Sequence, residues 1–374
     1  MTDFMVDVAN LAGFELDLRD LGTTLASNTA RLLPAVALPT GAAGLIATLA
    51  PSFEKFRNAI SAAQQTDLAT VGTLGENLAT AATKYRTTDD TSANALSVAS
   101  VNAFGDTGVS GRSGDGVKRF SGLQLPTLSD VQEEQYTVRQ VVTTAIEHIS
   151  GYDEALSAAI GMKPAADYLT PLVADWEALQ AVGKRIGLLG INDYVASENV
   201  GAGTRWLQSS WSGDASQAFG TSASTLGQSV AERGTDLDVV AKIVENAGAC
   251  LERLVYNQAM GLAGGLAQSM SFLGFRLPLG DWAQLVEQPI RASMKSEIAA
   301  AVDALRKSAD ARKDAITTIV ERISQAMDYV PGREIPSFDA SEFEVPEKAV
   351  VDMGVVRYGF GDNVWWENSI ASAS

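Results

Sequence analysis

Hydrophobic residues recur at helical spacing through most of the chain. Phe14, Leu18, Leu21, Leu25 and Leu32 fall on one face of a helix that closes before Pro34 and Pro39. Pro51-Ser52 opens a second helix, whose stripe is Phe53, Phe56, Ile60, Leu68, Val71, Leu74, Leu78 and Tyr85. Two antiparallel helices joined by a Pro/Gly link form a hairpin, and such stripes need each other or a partner to leave water. Residues 92–127 then turn rich in Ser, Gly and Asp and read as a linker. The glycines between Gly105 and Gly116 lack the preceding strand and the following Lys-Ser/Thr that a phosphate cradle requires.

A further helical block is predicted from Ser129, an N-cap followed by Glu133 and Glu134, past His148 toward Gly161. Pro164 to Asn199 reads as another helix, with Leu169, Leu172, Val173, Trp176, Leu179 and Val182 on its apolar side, and the chain then bends through Gly201, Gly203, Trp206 and Trp211. From Asp214, the spacing of Phe219, Ala223, Leu226, Val230, Leu237, Val240, Val244, Leu251 and Leu254 traces a helix of roughly eleven turns. Residues 254–275 carry no charge and contain a G-x-x-x-G at Gly261 and Gly265. Their length would let them span a membrane, but Asn257, Gln258 and Gln268 favour a helix buried in a bundle. A charged amphipathic helix covers Ile298 to Met327. Beyond Pro331, Ile335, Phe338, Phe343 and Val345 alternate with polar residues, and Val355 to Phe360 and Trp365-Trp366 follow, as short strands or a tail pinned by aromatics. Trp365 and Trp366 are candidates for contact with a partner, a membrane or the bundle itself.

The expected fold is therefore all-α: an elongated helical bundle with a short irregular or β-containing C-terminal tail. Its parts are an N-terminal hairpin over 1–91, the linker 92–127, a bundle over 128–330 and the tail 331–374.

Composition removes several functions. With 46% hydrophobic and 20% charged residues, the 374-residue chain can fill real cores. A formal net charge of -17 makes duplex nucleic acid or an anionic lipid surface a poor default partner, because both reward clustered Lys and Arg. A single cysteine, Cys250, and a single histidine, His148, leave no intrachain disulfide and no Cys/His zinc site. No nucleophile turn of the G-x-S-x-G kind appears, and the tail acids Asp339, Glu342, Glu344 and Glu347 lack calcium-loop spacing. The expectation is a protein that is not an enzyme and holds no cofactor or metal. The segment Met1 to Ala9 carries Asp3 and Asp7 and has neither a basic start nor an unbroken apolar core, so it does not read as a cleaved secretory signal.

Two short motifs remain. Trp211-Ser212-Gly213 lies between two long helical stretches, and Tyr85-Arg86-Thr87-Thr88-Asp89 ends an earlier one, where spacing i, i+4 puts the Tyr85 ring and Asp89 carboxylate on one helix face. Glycine suits a tight inter-helix turn and tryptophan is the largest apolar anchor for it. In this order and helical context, the W-x-G and Y-x-x-x-D motifs resemble the secreted substrates of actinobacterial type VII (ESX) systems, of the PE/PPE-like and EspB-like kind. The run after the triplet, Asp214 to Phe219, looks like the extended form of the W-x-G motif. The resemblance covers roughly residues 10–91 and 128–330. It implies a bundle built from W-x-G-type hairpins, with Tyr85 and Asp89 as an export signal and Trp211 and Gly213 as the hairpin turn. It also implies a secreted or cell-surface protein exported without a cleaved signal peptide. Its partners would be the type VII machinery, a secretion chaperone and other copies of itself, and its role a structural or secretion-associated one. The alternative expectation is a membrane-active secreted effector using residues 254–275.

Overall fold

The computed structural model describes residues 5–103, 116–132, 137–286 and 288–349, with the backbone alone over 93–103. The protein is mostly helical, with one two-stranded antiparallel sheet among the described residues. The long helices are α1 (Val8–Leu32) and α2 (Ala50–Ala103). Three short helices follow: α3 (Val138–Ile149), α4 (Asp153–Ile160) and α5 (Pro164–Tyr168). Then come α6 (Ala178–Gln208) and α7 (Asp214–Ala267), a hairpin of β1 (Ser269–Phe272) and β2 (Phe275–Pro278), short α8 (Leu279–Gln284) and α9 (Ala292–Met327).

The chain divides into two compact units. Unit 1 takes Met1–Pro34, Asn58–Asp130 and Gly187–Asp238, and unit 2 takes Ala35–Arg57, Val131–Ile186 and Val239–Ser374. This grouping cuts across the boundaries read from sequence, which set the hairpin 1–91 and the bundle 128–330 as successive parts of the chain. The stripes of α1 and α2 do pack, but with Ala196, Val200 and Leu207 of α6 and Phe219, Ala223, Leu226 and Val230 of α7 in the same core.

In unit 1, Asp7 caps α1 by accepting the Ala9 N–H at 3.0 Å. The expected linker is in part helix: Ser92 to Ala103 contains no Gly or Pro, and α2 continues through it. Residues 104–115 lie outside the described residues. From 116 to 130 the chain is an extended strap laid on α1 and α6. Lys118 N–H reaches the Ala9 carbonyl at 3.1 Å, Arg119 pairs with Asp17 at 2.6 Å, and Phe120 N–H donates to Asp17 at 2.8 Å. Asn199 exchanges two hydrogen bonds with the Gln124 backbone at 2.9 and 2.6 Å. Gly201 and Gly203, read as part of a bend, lie inside α6. A Cβ on Gly203 would stand 2.1 Å from the Phe14 ring, so the glycine makes room for an aromatic side chain rather than for a turn.

Unit 2 departs from the sequence reading in three places. The α3 helix starts at Val138 rather than near Ser129, and the Glu177 carboxylate takes up the N–H groups of Thr137 and Val138 at 2.9 and 2.7 Å. Pro164 to Asn199 is not one helix: Pro171 interrupts it, α5 gives way to a 3-10 turn, and Leu169, Leu172 and Trp176 still reach the core. The uncharged segment 254–275 is helical only to Ala267, with Val255, Tyr256, Ala259, Leu262, Ala263 and Leu266 buried, and then turns into the β-hairpin. Among the described residues no helix is long and apolar enough to cross a membrane. Gly261 and Gly265 face α9, where added Cβ atoms would lie 2.8 Å from Arg312 and 2.4 Å from Leu305.

The described part of the tail is irregular with one 3-10 turn, Ala340–Phe343. It is held by Asn257, which donates to the Glu347 carbonyl at 2.8 Å and accepts the Ala349 N–H at 2.7 Å. Phe338 and Phe343 stack with ring centres 5.9 Å apart. Val355 to Phe360, Trp365 and Trp366 lie outside the described residues.

Candidate recognition site at the W-x-G turn

The turn between α6 and α7 spans Ser209 to Gly213. Gly213 has φ 104°, a backbone conformation that side-chain-bearing residues rarely adopt, and this reverses the chain into α7. Trp211 is 3% exposed, its ring centre 5.8 Å from Phe219. Aromatic packing continues inward, with Phe14 at 6.2 Å from Phe219 and 6.3 Å from Trp206, and Phe120 of the strap at 5.8 Å from Trp206. The Ser216 hydroxyl donates to the Trp211 carbonyl at 2.8 Å, and the Gln217 N–H to the Gly213 carbonyl at 3.0 Å, so the motif closes onto the first turn of α7.

Tyr85 reaches this turn from α2. The Trp211 indole N–H points to the Tyr85 hydroxyl at 3.5 Å, a long contact, and Tyr85 packs partly buried against the unit 1 core. Asp89 follows on an exposed stretch of α2 with Arg86 and Asp90. The structure thus brings Tyr85, Trp211 and Gly213 to one place and leaves Asp89 on the adjoining surface. Gly261 and Gly265 belong to unit 2.

One component of the site left no periodic signal in the sequence. Val6 pairs with Trp211 as an isolated antiparallel bridge. Asp7 N–H donates to the Ser210 carbonyl and Ser212 N–H to the Met5 carbonyl, both at 2.9 Å. Asn10 donates to the Ser210 hydroxyl at 2.6 Å. The Asp7 carboxyl is held below its ordinary range, chiefly by its hydrogen bond from Lys118 at 2.8 Å. The middle residue of the W-x-G triplet is therefore held by main chain from before α1.

A second cluster lies in the same unit. Arg233 of α7 is buried between Asp193 of α6 and Asp67 of α2. Its Nε donates to Asp193 Oδ2 at 2.7 Å and its Nη1 lies 2.5 Å from Asp67 Oδ2, close enough for an ion pair but off hydrogen-bond direction. Burial pushes both carboxyls above their ordinary range against the pull of Arg233. Burial also works against the guanidinium charge, but the two acids outweigh it and hold the Arg233 pKa above its usual value. The sequence did hold a signal here: Arg233 falls between Val230 and Leu237, and Asp67 between Ile60 and Val71, at positions of apolar stripes.

Other chemistry is sparse. A surface trough of about 740 Å³ along α2, lined by Thr66, Thr70, Thr73, Asn77 and Ser222 among others, has no titratable side chain on its walls. His148 sits half-buried on α3. Cys250 is buried, which pushes its thiol up to about 11 and leaves it a poor nucleophile. No group of three or more His, Cys, Asp or Glu residues suited to a metal occurs among the described residues. Compared with known proteins, the chain matches no family model and is significantly similar to no curated protein and no solved structure.

Proposed function

We propose that this protein is a type VII-secreted helical protein with a structural or secretion-associated role, and that Tyr85, Asp89, Trp211 and Gly213 form one composite export signal. The observation that carries this reading is the 3.5 Å approach of the Trp211 indole to the Tyr85 hydroxyl, with Asp89 exposed beside it. Motifs far apart in sequence share one surface, as a single receptor would require. Burial of Trp211 fits a role in shaping that surface, with Tyr85 and Asp89 presented to the receptor.

The test is export from an actinobacterial host carrying a type VII system. Asp89→Ala changes an exposed side chain, so it should keep the protein inside the cell with its helical circular dichroism unchanged. Tyr85→Ala should do the same with a slight loss of stability. Wild-type amounts of both variants in the culture medium would overturn the reading. Trp211→Ala should lose export and also about 3–5 kcal/mol of stability, which separates a shaping residue from a presented one.

A further inference from the structure

The β1–β2 hairpin ends in Phe275, at 68% the most exposed large hydrophobic side chain among the described residues, and Leu273, which at 59% is level with Tyr194. Its two-residue turn is Leu273-Gly274, with φ 54° and 80°. That is the turn geometry for which Asn-Gly is favoured, and leucine is an unfavourable choice at the first position on both backbone and solvation grounds. At 59% exposure, most of the Leu273 side chain stays outside the core of unit 2.

The prong beneath the tip is firmly built. Phe272 pairs with Phe275 and Ser271 with Arg276 in antiparallel register. Phe272 packs edge-on against Trp282 at 5.1 Å, and the Trp282 indole donates to the Met270 carbonyl at 2.9 Å. Leu279 N–H closes onto the Gln268 carbonyl at 2.8 Å. These contacts tie down the base of the prong and hold its tip out as a fixed projection.

Charge and area favour one occupant. In a chain with 45 acidic residues, none occurs between Glu252 and Asp281, and the only charge on the hairpin is exposed Arg276, next to Phe275. Two apolar side chains beside a cation match the headgroup boundary of a bilayer, where apolar groups enter and a guanidinium meets phosphate. A stable protein interface needs about 800 Å² from each partner, well beyond what two side chains offer. A lipid surface asks for no shape complementarity.

We propose that the tip of this hairpin, Leu273 and Phe275 with Arg276, is a reversible anchor for a phospholipid bilayer surface. It enters the interface without spanning the membrane, and its affinity is no greater than that of a single acyl chain, roughly 10⁴ M⁻¹. The inference does not depend on the export reading.

Flotation of the full-length protein with phosphatidylcholine vesicles, alone or mixed with phosphatidylglycerol, tests it. Wild type should co-float with both. Phe275→Ser should cut binding roughly tenfold or more. Leu273→Asn should weaken binding while holding or raising the melting temperature, since asparagine suits the turn, so lost binding in that variant cannot be put down to unfolding. Arg276→Gln should lower only the increment due to phosphatidylglycerol. No co-flotation of the wild type, or co-flotation of Phe275→Ser and Leu273→Asn at wild-type levels, would overturn the proposal.

Discussion

Buried carboxylates meet backbone donors at two helix starts in unit 2 and a buried arginine at the meeting of three helices in unit 1. In unit 2, Asp153 accepts the N–H groups of Ala165 and Ala166, both at 2.9 Å, and Glu177 accepts those of Thr137 and Val138. These acids sit at the starts of α5 and α3, where the first backbone donors have no partner within the helix. In unit 1, Asp67 and Asp193 instead face the side chain of Arg233, and three helices meet around two negative charges and one positive. The unit 2 arrangement works with any good acceptor in the right place. The unit 1 arrangement fails if Arg233 is lost, because two carboxylates without a counterion are then left away from water.

The comparison breaks most sharply at Arg233. Arg233→Met keeps much of the side chain's length and removes its charge, leaving Asp67 and Asp193 together without a counterion. The expected loss is about 3–5 kcal/mol in denaturant unfolding, with part of it recovered when Asp67→Asn and Asp193→Asn are added. A single-variant loss below about 1 kcal/mol would mean that the cluster does not hold the three helices together.

Glu177 gives a smaller effect in unit 2. Glu177→Gln retains an oxygen that can accept from Thr137 and Val138, and should cost about 1 kcal/mol or less. Glu177→Ala leaves both donors without that acceptor and should cost about 1–2 kcal/mol. If Glu177→Gln proved as damaging as Arg233→Met, charge rather than hydrogen bonding would dominate in both units and the distinction would collapse.

The same difference decides how much could be read from sequence. The stripes Phe14 to Leu32 and Phe53 to Leu78 became α1 and α2 because burial against a neighbour repeats every turn and leaves a period. The turn at Trp211 was legible because glycine and tryptophan answer local needs of backbone and packing. Hairpin β1–β2 was read as helix as far as Phe275, since an uncharged run of apolar residues looks alike in either state. Pairing of Val6 with Trp211 uses main-chain groups, which every residue carries, and the strap at 116–130 is held by scattered contacts to Asp17, Asn28 and Asn199 that have no period. Arg233 and Asp67 were visible as charges on apolar stripes, but which acid meets which base depends on how α2, α6 and α7 pack.

The smallest expected effect is one of pH, and its sign is opposite to the usual acid behaviour of proteins. Asp67 and Asp193 are raised above the ordinary Asp value of 3.8, first by burial, and the groups facing them are Arg233 of α7 and Gln64 of α2. A folded pKa above the unfolded one means that the folded state holds its proton more tightly. The cost of ionising these acids in the fold is present at neutral pH and is relieved as pH falls through their raised pKa values, with relief complete near 3.8. Asp7 works the other way, since the Lys118 contact that lowers its pKa is lost on acidification. The two contributions are separated by comparing wild type with Asp67→Asn, in which that position cannot titrate. As pH falls from neutral toward 3.8, wild type should gain melting temperature relative to Asp67→Asn, by less than Arg233→Met loses. Parallel pH profiles for the two proteins would show that Asp67 takes up no proton over that range, and that Arg233 fully compensates both acids.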